Sequence, residues 1–168
     1  MRGVGPALRT RAFGMLAGRV LALASIGGCG SAFGVEHYRE GLPSSDLAVR
    51  FVADDTHEAE TTLPRLGTEE PIGLSAGTLV RAEQIEHVRL LEAAEGGRVI
   101  VLVLRDEGRE RLREATADAA GRRLAIVAGG HVIAAPTVRG PLTESEAYVS
   151  VPDAQLETAF GSMTLASP

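Results

Sequence analysis

The stretch 121–142, GRRLAIVAGGHVIAAPTVRGPL, constrains the fold more than any other part of the chain. Two short apolar runs, 124–128 and 131–135, flank Gly129-Gly130. A two-residue hairpin loop of type I′ needs φ > 0 at both central residues, a region glycine enters without a Cβ clash. The pattern therefore predicts two antiparallel strands and a tight turn. A β-branched side chain at 129 should be harmful there, and Asn nearly neutral. Apolar residues lie on both faces of both strands, so the hairpin belongs in a sheet covered on two sides. Pro136 lacks an N–H and is expected to end the ladder. Taken alone, this is an ordinary buried hairpin with no site on it.

The preceding segment supplies a cover for that sheet. Residues 98–104 (RVIVLVL) are β-branched and apolar on both faces, and read as a strand. Asp106 is placed to cap a helix, with Glu107 and Glu110 near the positive end of its dipole. Leu112, Ala115, Thr116 and Ala119 form one face at i, i+3, i+4, i+7, and Gly121 stops the helix as an αL residue. Strand, helix and hairpin in that order give an α+β fold: a mixed, mainly antiparallel sheet with one main helix packed on one face. Only 4% of residues are aromatic, so the core must be built from Val, Leu, Ile and Ala.

The rest of the chain is less strongly patterned. Residues 47–52 (LAVRFV) read as a first strand and 54–60 as an acidic loop around His57. Asp54, Asp55, His57, Glu58 and Glu60 could hold a hard cation, but the calcium-loop spacing is absent and a solvated charge run is the plainer reading. Residues 61–77 carry two prolines and three glycines and read as a long loop. Residues 78–92 admit two readings: one amphipathic helix, or a short helical turn at 82–85 followed by a strand from His87. On the helical reading Glu83 and His87 share a face, a spacing that can hold a metal; without a second His nearby, a solvated face is the simpler account. Residues 148–151 form a weak edge strand. Pro152 and Asp153 open a short helix through Phe160, and 161–168 is a frayed tail.

The same central stretch resembles a known family. Gly108, Leu112, Thr116, Gly121, Leu124, Ala125, Ile126, Val127, Gly130, Val132, Ile133, Ala135, Pro136 and Val138 look like the head of the first periplasmic domain of SecD, the export accessory subunit. The likeness is clearest over 85–142. Two departures stand out: Gly129-Gly130 replaces the usual Asp-Gly turn, and SEAYVSV replaces the glycine-bracketed strand expected after the hairpin. The resemblance implies a head-like fold that takes part in export. SecD subunits also carry the transmembrane helices of the motor, and none is expected here after the leader, so translocase activity itself is not carried over.

The N-terminus addresses location. Residues 1–28 hold four Arg and no acid, then an apolar run and Ile26-Gly27-Gly28-Cys29. A basic region, a short apolar region and small residues before a cut describe a secretory signal, and the apolar run is shorter than the ~20 residues of a membrane span. The last four residues resemble the bacterial lipobox, which implies lipidation at Cys29. A plain signal peptide or a disordered basic arm are the other readings, and Met15 is an alternative start. The expected organisation is a leader over 1–28, a flexible tether over 29–45 and one domain over 46–168. Gly30 after the Cys, in place of an Asp retention residue, favours the periplasmic side of the outer membrane. With one Cys the chain can make neither an intrachain disulfide nor a thiolate metal cluster. Removing 1–28 leaves 13 basic against 22 acidic residues, a formal −9, which argues against nucleic acid as a partner.

The sequence makes no convincing case for an enzyme. Its four His, at 37, 57, 87 and 131, stand outside any known spacing, and there is no His-Glu-x-x-His and no glycine-rich phosphate loop. No cofactor and no metal are expected. The leading reading is a non-enzymatic envelope lipoprotein that binds polypeptide or a protein partner; the alternative is a small periplasmic hydrolase with a site assembled from dispersed residues. The candidate contact surface is Ala135, Pro136, Val138 and Arg139. Two prolines hold this segment extended, Val138 is expected outside the deep core, and Arg139 offers a five-donor group to carboxylates or backbone carbonyls. A plain loop leading to an edge strand is the bland account of the same residues.

Overall fold

The computed structural model describes residues 35–55, 58–93 and 97–165. Ten strands and two helices follow in the order β1 (Val35–Gly41), β2 (Ala48–Phe51), β3 (Thr61–Pro64), β4 (Pro71–Leu74), β5 (Val80–Arg81), β6 (Ile85–Ala93), β7 (Arg98–Leu104), α1 (Asp106–Thr116), β8 (Leu124–Ala128), β9 (His131–Ala134), β10 (Glu146–Val149) and α2 (Asp153–Met163). A 3₁₀ turn, Ala82–Gln84, joins β5 to β6.

Residues 124–128 are buried throughout because the two faces of β8 meet two different cores. Leu124, Ile126 and Ala128 enter a large cluster with Leu112 of α1 and with Leu156, Ala159 and Met163 of α2. Ala125 and Val127 enter a smaller cluster with Val52, Ile72, Leu74 and Val132. Gly129 (φ 58) and Gly130 (φ 74) make the turn, and β9 stops before the Ala135-Pro136 pair, as the pattern predicts. The Gly129 N–H donates to Asp46 Oδ2 at 2.7 Å, tying the turn to the residues before β2.

Three sheets result. The first has the order β1-β6-β7-β10, the second β5-β2-β8-β9, and the third is the β3–β4 hairpin. Every named strand pair is antiparallel; an isolated bridge between Arg65 and Val132 is parallel. The inner faces of the first two sheets and both helices share the large core, giving an α+β fold.

The second reading of 78–92 holds: a short helical turn leads into a strand. Several other expectations are corrected. The loop expected over 61–77 is the β3–β4 hairpin, and it forms because Leu63, Ile72 and Leu74 close over the outer face of β8. Its prolines pair at one end, Pro64 with Pro71, and a Cβ on Gly73 would lie 2.9 Å from that of Ala59. Residues 35–41, inside the stretch expected as a tether, form β1 against β6. Asp106 does not cap α1: it is the first helical residue and pairs with Arg109 at 3.0 Å, while Arg105 holds the N-cap position without a side-chain bond.

The start of α1 is fixed by Gln84, whose residue is 4% exposed. Its backbone oxygen accepts from Arg105 N at 2.9 Å, its amide nitrogen donates to Glu107, and its amide oxygen accepts from Arg81 N. A Cβ on Gly108 would fall 2.6 Å from the Gln84 carbonyl oxygen, so only glycine allows this approach. Regular helix ends at Thr116, and looser turns carry the chain to Gly121 (φ 89). Thr116 is buried, its hydroxyl donating to Leu112 O at 2.7 Å and accepting from Leu142 N at 2.9 Å. The expected frayed tail is also corrected: α2 runs on to Met163, which is 0% exposed, and Met163 O accepts from Ser44 N. The α+β expectation holds, with α1 as the main helix and the expected short second helix extended to 11 residues.

Candidate functional site

The segment after β9 is strapped down by its backbone. Leu124 N donates to Pro136 O at 2.9 Å, Val138 N to Arg122 O at 2.8 Å, and Gly121 N to Val138 O at 2.9 Å. These bonds turn the Val138 side chain inward. It is 4% exposed and belongs to the large core, which corrects the expectation that it stands outside. Ala135 and Pro136 are half-buried, with Ala135 against the smaller core, and Arg139 is exposed. The loop therefore brings Pro136 and Arg139 to the surface and uses Val138 as its anchor. Around that anchor, 136–142 and Leu124 line a small concavity of about 120 Å³. The neighbouring edge of β9 is taken in part, because Leu66 N donates to Val132 O at 3.0 Å.

Other candidate groups do not converge. In the acidic loop, Glu60 pairs with Arg50, Asp54 approaches Arg122 at 3.9 Å, and Glu58 is exposed. Among the described residues no three His, Cys, Asp or Glu are grouped to hold a metal. Glu83 and His87 share no helix face: one is in the 3₁₀ turn and the other in β6. His57 and Cys29 lie outside the described residues. Among the described residues no helix is long and apolar enough to cross a membrane.

The surface that sequence reasoning missed is the outer face of the first sheet. Cross-strand rows define it: His87–Val103–Glu146, then Glu40–Arg89–Val101–Tyr148, then Tyr38–Leu91–Val99. Val101 is 1% exposed yet belongs to neither core, being flanked by Arg89 and Tyr148. Arg89 Nε donates to Glu40 Oε2 at 2.6 Å, and this bond above all holds the Glu40 carboxyl below its usual range; burial opposes it, and the charges of His87 and Arg89 add to it. Burial pushes the Tyr148 phenol up, helped by its 3.0 Å bond to Glu146 and by the charges of Glu146 and Glu144. The signal was present as parity: 99, 101 and 103 share one face of β7, and 87, 89 and 91 share one face of β6. It went unread because β1, a charged VEHYREG run, does not look like a strand.

On the opposite side of β1, Arg39 lies over the Phe160 ring at 5.0 Å and pairs with Glu157, which also takes Arg98 at 3.0 Å. An open groove of about 560 Å³ runs between β1 and the end of α2 there.

Comparison with known proteins places this geometry. The family model for the SecDF P1 head subdomain matches residues 59–159. The protein translocase subunit SecDF of Brucella abortus biovar 1 (strain 9-941) is 44% identical over 59 residues, 35% of this chain and 8% of that protein. The chain thus spans a small part of that relative's length. Two solved structures share the fold. The SecDF crystal structure in the super-membrane-facing form aligns with a TM-score of 0.53 and 23% identity, covering 67% of this chain and 17% of that one. A structure of SecDF, a membrane component that enhances protein export, aligns with a TM-score of 0.52 and 20% identity, covering 76% of this chain and 66% of that one.

Proposed function

This chain belongs to the SecDF P1 head subdomain family, and from that premise we propose that it is a non-enzymatic protein of the bacterial cell envelope that binds polypeptide in support of protein export. The observation that carries the reading is the family match over 59–159, which runs from the β3–β4 hairpin through most of α2. The relatives supply the association with export, and the fold supplies the surfaces on which a partner would sit. Lipidation at Cys29 would hold the domain at the membrane, facing the periplasm from the outer membrane. The basic, apolar, small-residue, Cys order supports that anchor. The loop with Pro136 and Arg139, held out by the buried Val138, is the proposed first contact for a partner chain. Arg139 is exposed and presents its guanidinium to carboxylates or backbone carbonyls.

Site-directed photocrosslinking in cells tests this. With a photoreactive residue at Arg139, exported precursors should be captured, whereas the same residue at exposed Glu58 should capture none. Equal labelling at both positions, or an Arg139→Glu variant that fully complements a deletion strain, would remove the loop from the account. Labelled palmitate tests the anchor: Cys29→Ser should lose both the label and membrane fractionation.

A further inference from the structure

Three of the four faces of the two large sheets are covered. The shared core covers both inner faces, and the β3–β4 hairpin covers the outer face of the second sheet. Among the described residues neither hydrophobic core takes in a side chain from the outer face of the first sheet. Its floor is apolar. Leu91 opposes Val99, Val101 lies between Arg89 and Tyr148, and Tyr38 and Tyr148 stand on the two outer strands at 66% and 47% exposure. An apolar sheet face left to water marks an interaction surface.

The charges on this face gather at one end. Arg89 is shared between Glu40 at 2.6 Å and Glu146 at 3.6 Å. His87 faces Glu40 at 3.4 Å and Glu86 at 3.5 Å. Glu144 adds to the negative field at Tyr148. Within these ion pairs three carboxylates share one guanidinium and one imidazole. The rim is therefore short of positive charge, while the opposite end, Tyr38 with Leu91 and Val99, is apolar.

We propose that this face docks a polypeptide segment with an apolar stripe and with Arg or Lys at one end. The stripe lies on Tyr38, Leu91, Val99 and Tyr148, and the basic end lies beside Glu40, Glu86 and Glu146. Four strands spaced about 4.8 Å apart make a face roughly 15 Å across, which receives one helix of about 10 Å diameter. The acidic rim fixes the direction of the segment and quickens its capture at low salt, and the apolar floor supplies the lasting contact. The inference rests on the polypeptide-binding reading, and adds to it a surface and a partner chemistry.

The test is fluorescence anisotropy on the full chain, with three probes. One is a labelled helical peptide bearing a Leu stripe and Arg at one end, another is its Glu-ended counterpart, and the third is a reduced, unfolded carrier protein. The wild-type chain should bind the Arg-ended peptide and not the Glu-ended one. The double variant Tyr38→Glu/Tyr148→Glu, with its fold checked by circular dichroism, should bind at least about tenfold more weakly. Glu146→Arg should weaken the Arg-ended peptide and admit the Glu-ended one, whereas the same charge reversal at exposed Glu58, Glu58→Arg, should change neither. Undiminished binding by the double variant would move the site elsewhere and leave the polypeptide-binding reading standing. So would binding of the unfolded carrier alone. Failure to bind all three probes would overturn both readings. Self-association abolished by Tyr148→Glu would assign the face to a second copy of this chain and overturn the present inference.

Discussion

The two four-stranded sheets are alike in strand number and in antiparallel pairing, and opposite in how they meet water. The second is closed on both faces: successive residues of β8 enter successive cores, so each side chain is specified by packing. The first is closed on one face only. In β7, Ile100, Leu102 and Leu104 enter the large core, while Val99 and Val103 on the other face remain half-exposed. Both strands are apolar at almost every position. An all-apolar run thus marks a strand in either sheet, but it marks two-sided burial only where a further element arrives to cover the second face. Here the covering element is the β3–β4 hairpin, and the first sheet has no counterpart among the described residues.

This contrast breaks most easily by substitution. The largest loss is expected at Leu102→Ala and Ile126→Ala, both of which empty the shared core and should cost about 2–5 kcal/mol in denaturant unfolding. The sharper comparison uses one substitution in both sheets. Val127→Thr places a hydroxyl in the closed smaller core and should cost roughly 1–3 kcal/mol. Val103→Thr points to the open face and should stay within about 0.5 kcal/mol. Equal losses would mean that the first sheet is covered after all.

Backbone positions come next. Gly108→Val drives a side chain into the Gln84 carbonyl oxygen and should cost about 1–3 kcal/mol or more, read as a lower thermal midpoint. In the β8–β9 turn the two glycines are not equivalent. A Cβ at Gly129 would lie 3.2 Å from the Ser162 Cβ, whereas Gly130 faces open space. Asn, which tolerates positive φ, is therefore expected to be well accepted at Gly130 and costly at Gly129, where the turn pattern alone had suggested neutrality.

The smallest effect is a pH dependence on the open face. The Arg89 bond holds the Glu40 carboxyl below its ordinary range in the folded state. The unfolded chain therefore takes up this proton first as pH falls, and the pairing contributes stability above the unfolded carboxylate value of about 4.3. That contribution disappears as pH drops through the lower, folded value. Glu40→Gln should flatten the acid side of the thermal-midpoint profile slightly and leave it unchanged near neutrality, apart from a constant offset.

How much of this was legible follows from the same contrast. The hairpin, β7, the α1 face and the turn glycines were readable because local pattern and burial agree there. The β3–β4 hairpin was not, since its prolines and glycines look like breakers until the β8 face they cover is known. β1 was hidden by its charges, which are tolerated because it is an edge strand whose Glu40 and Arg39 find partners on β6 and α2. Val138 was misplaced for a related reason. Flanking prolines suggested an outer loop, but three backbone bonds to 121–124 fold the loop onto the core. The open sheet face needed three strands distant in sequence to be set side by side, which no local pattern states.

The most direct measurement of the central claim is thiol accessibility. In a Cys29→Ser background, single cysteines at Tyr148 and at Val127 report on the open face and on the closed one. The account predicts that the Tyr148→Cys thiol is alkylated at close to the rate of a free thiol under native conditions, while the Val127→Cys thiol reacts only through unfolding. Equal native-state rates, or protection at Tyr148→Cys, would contradict it.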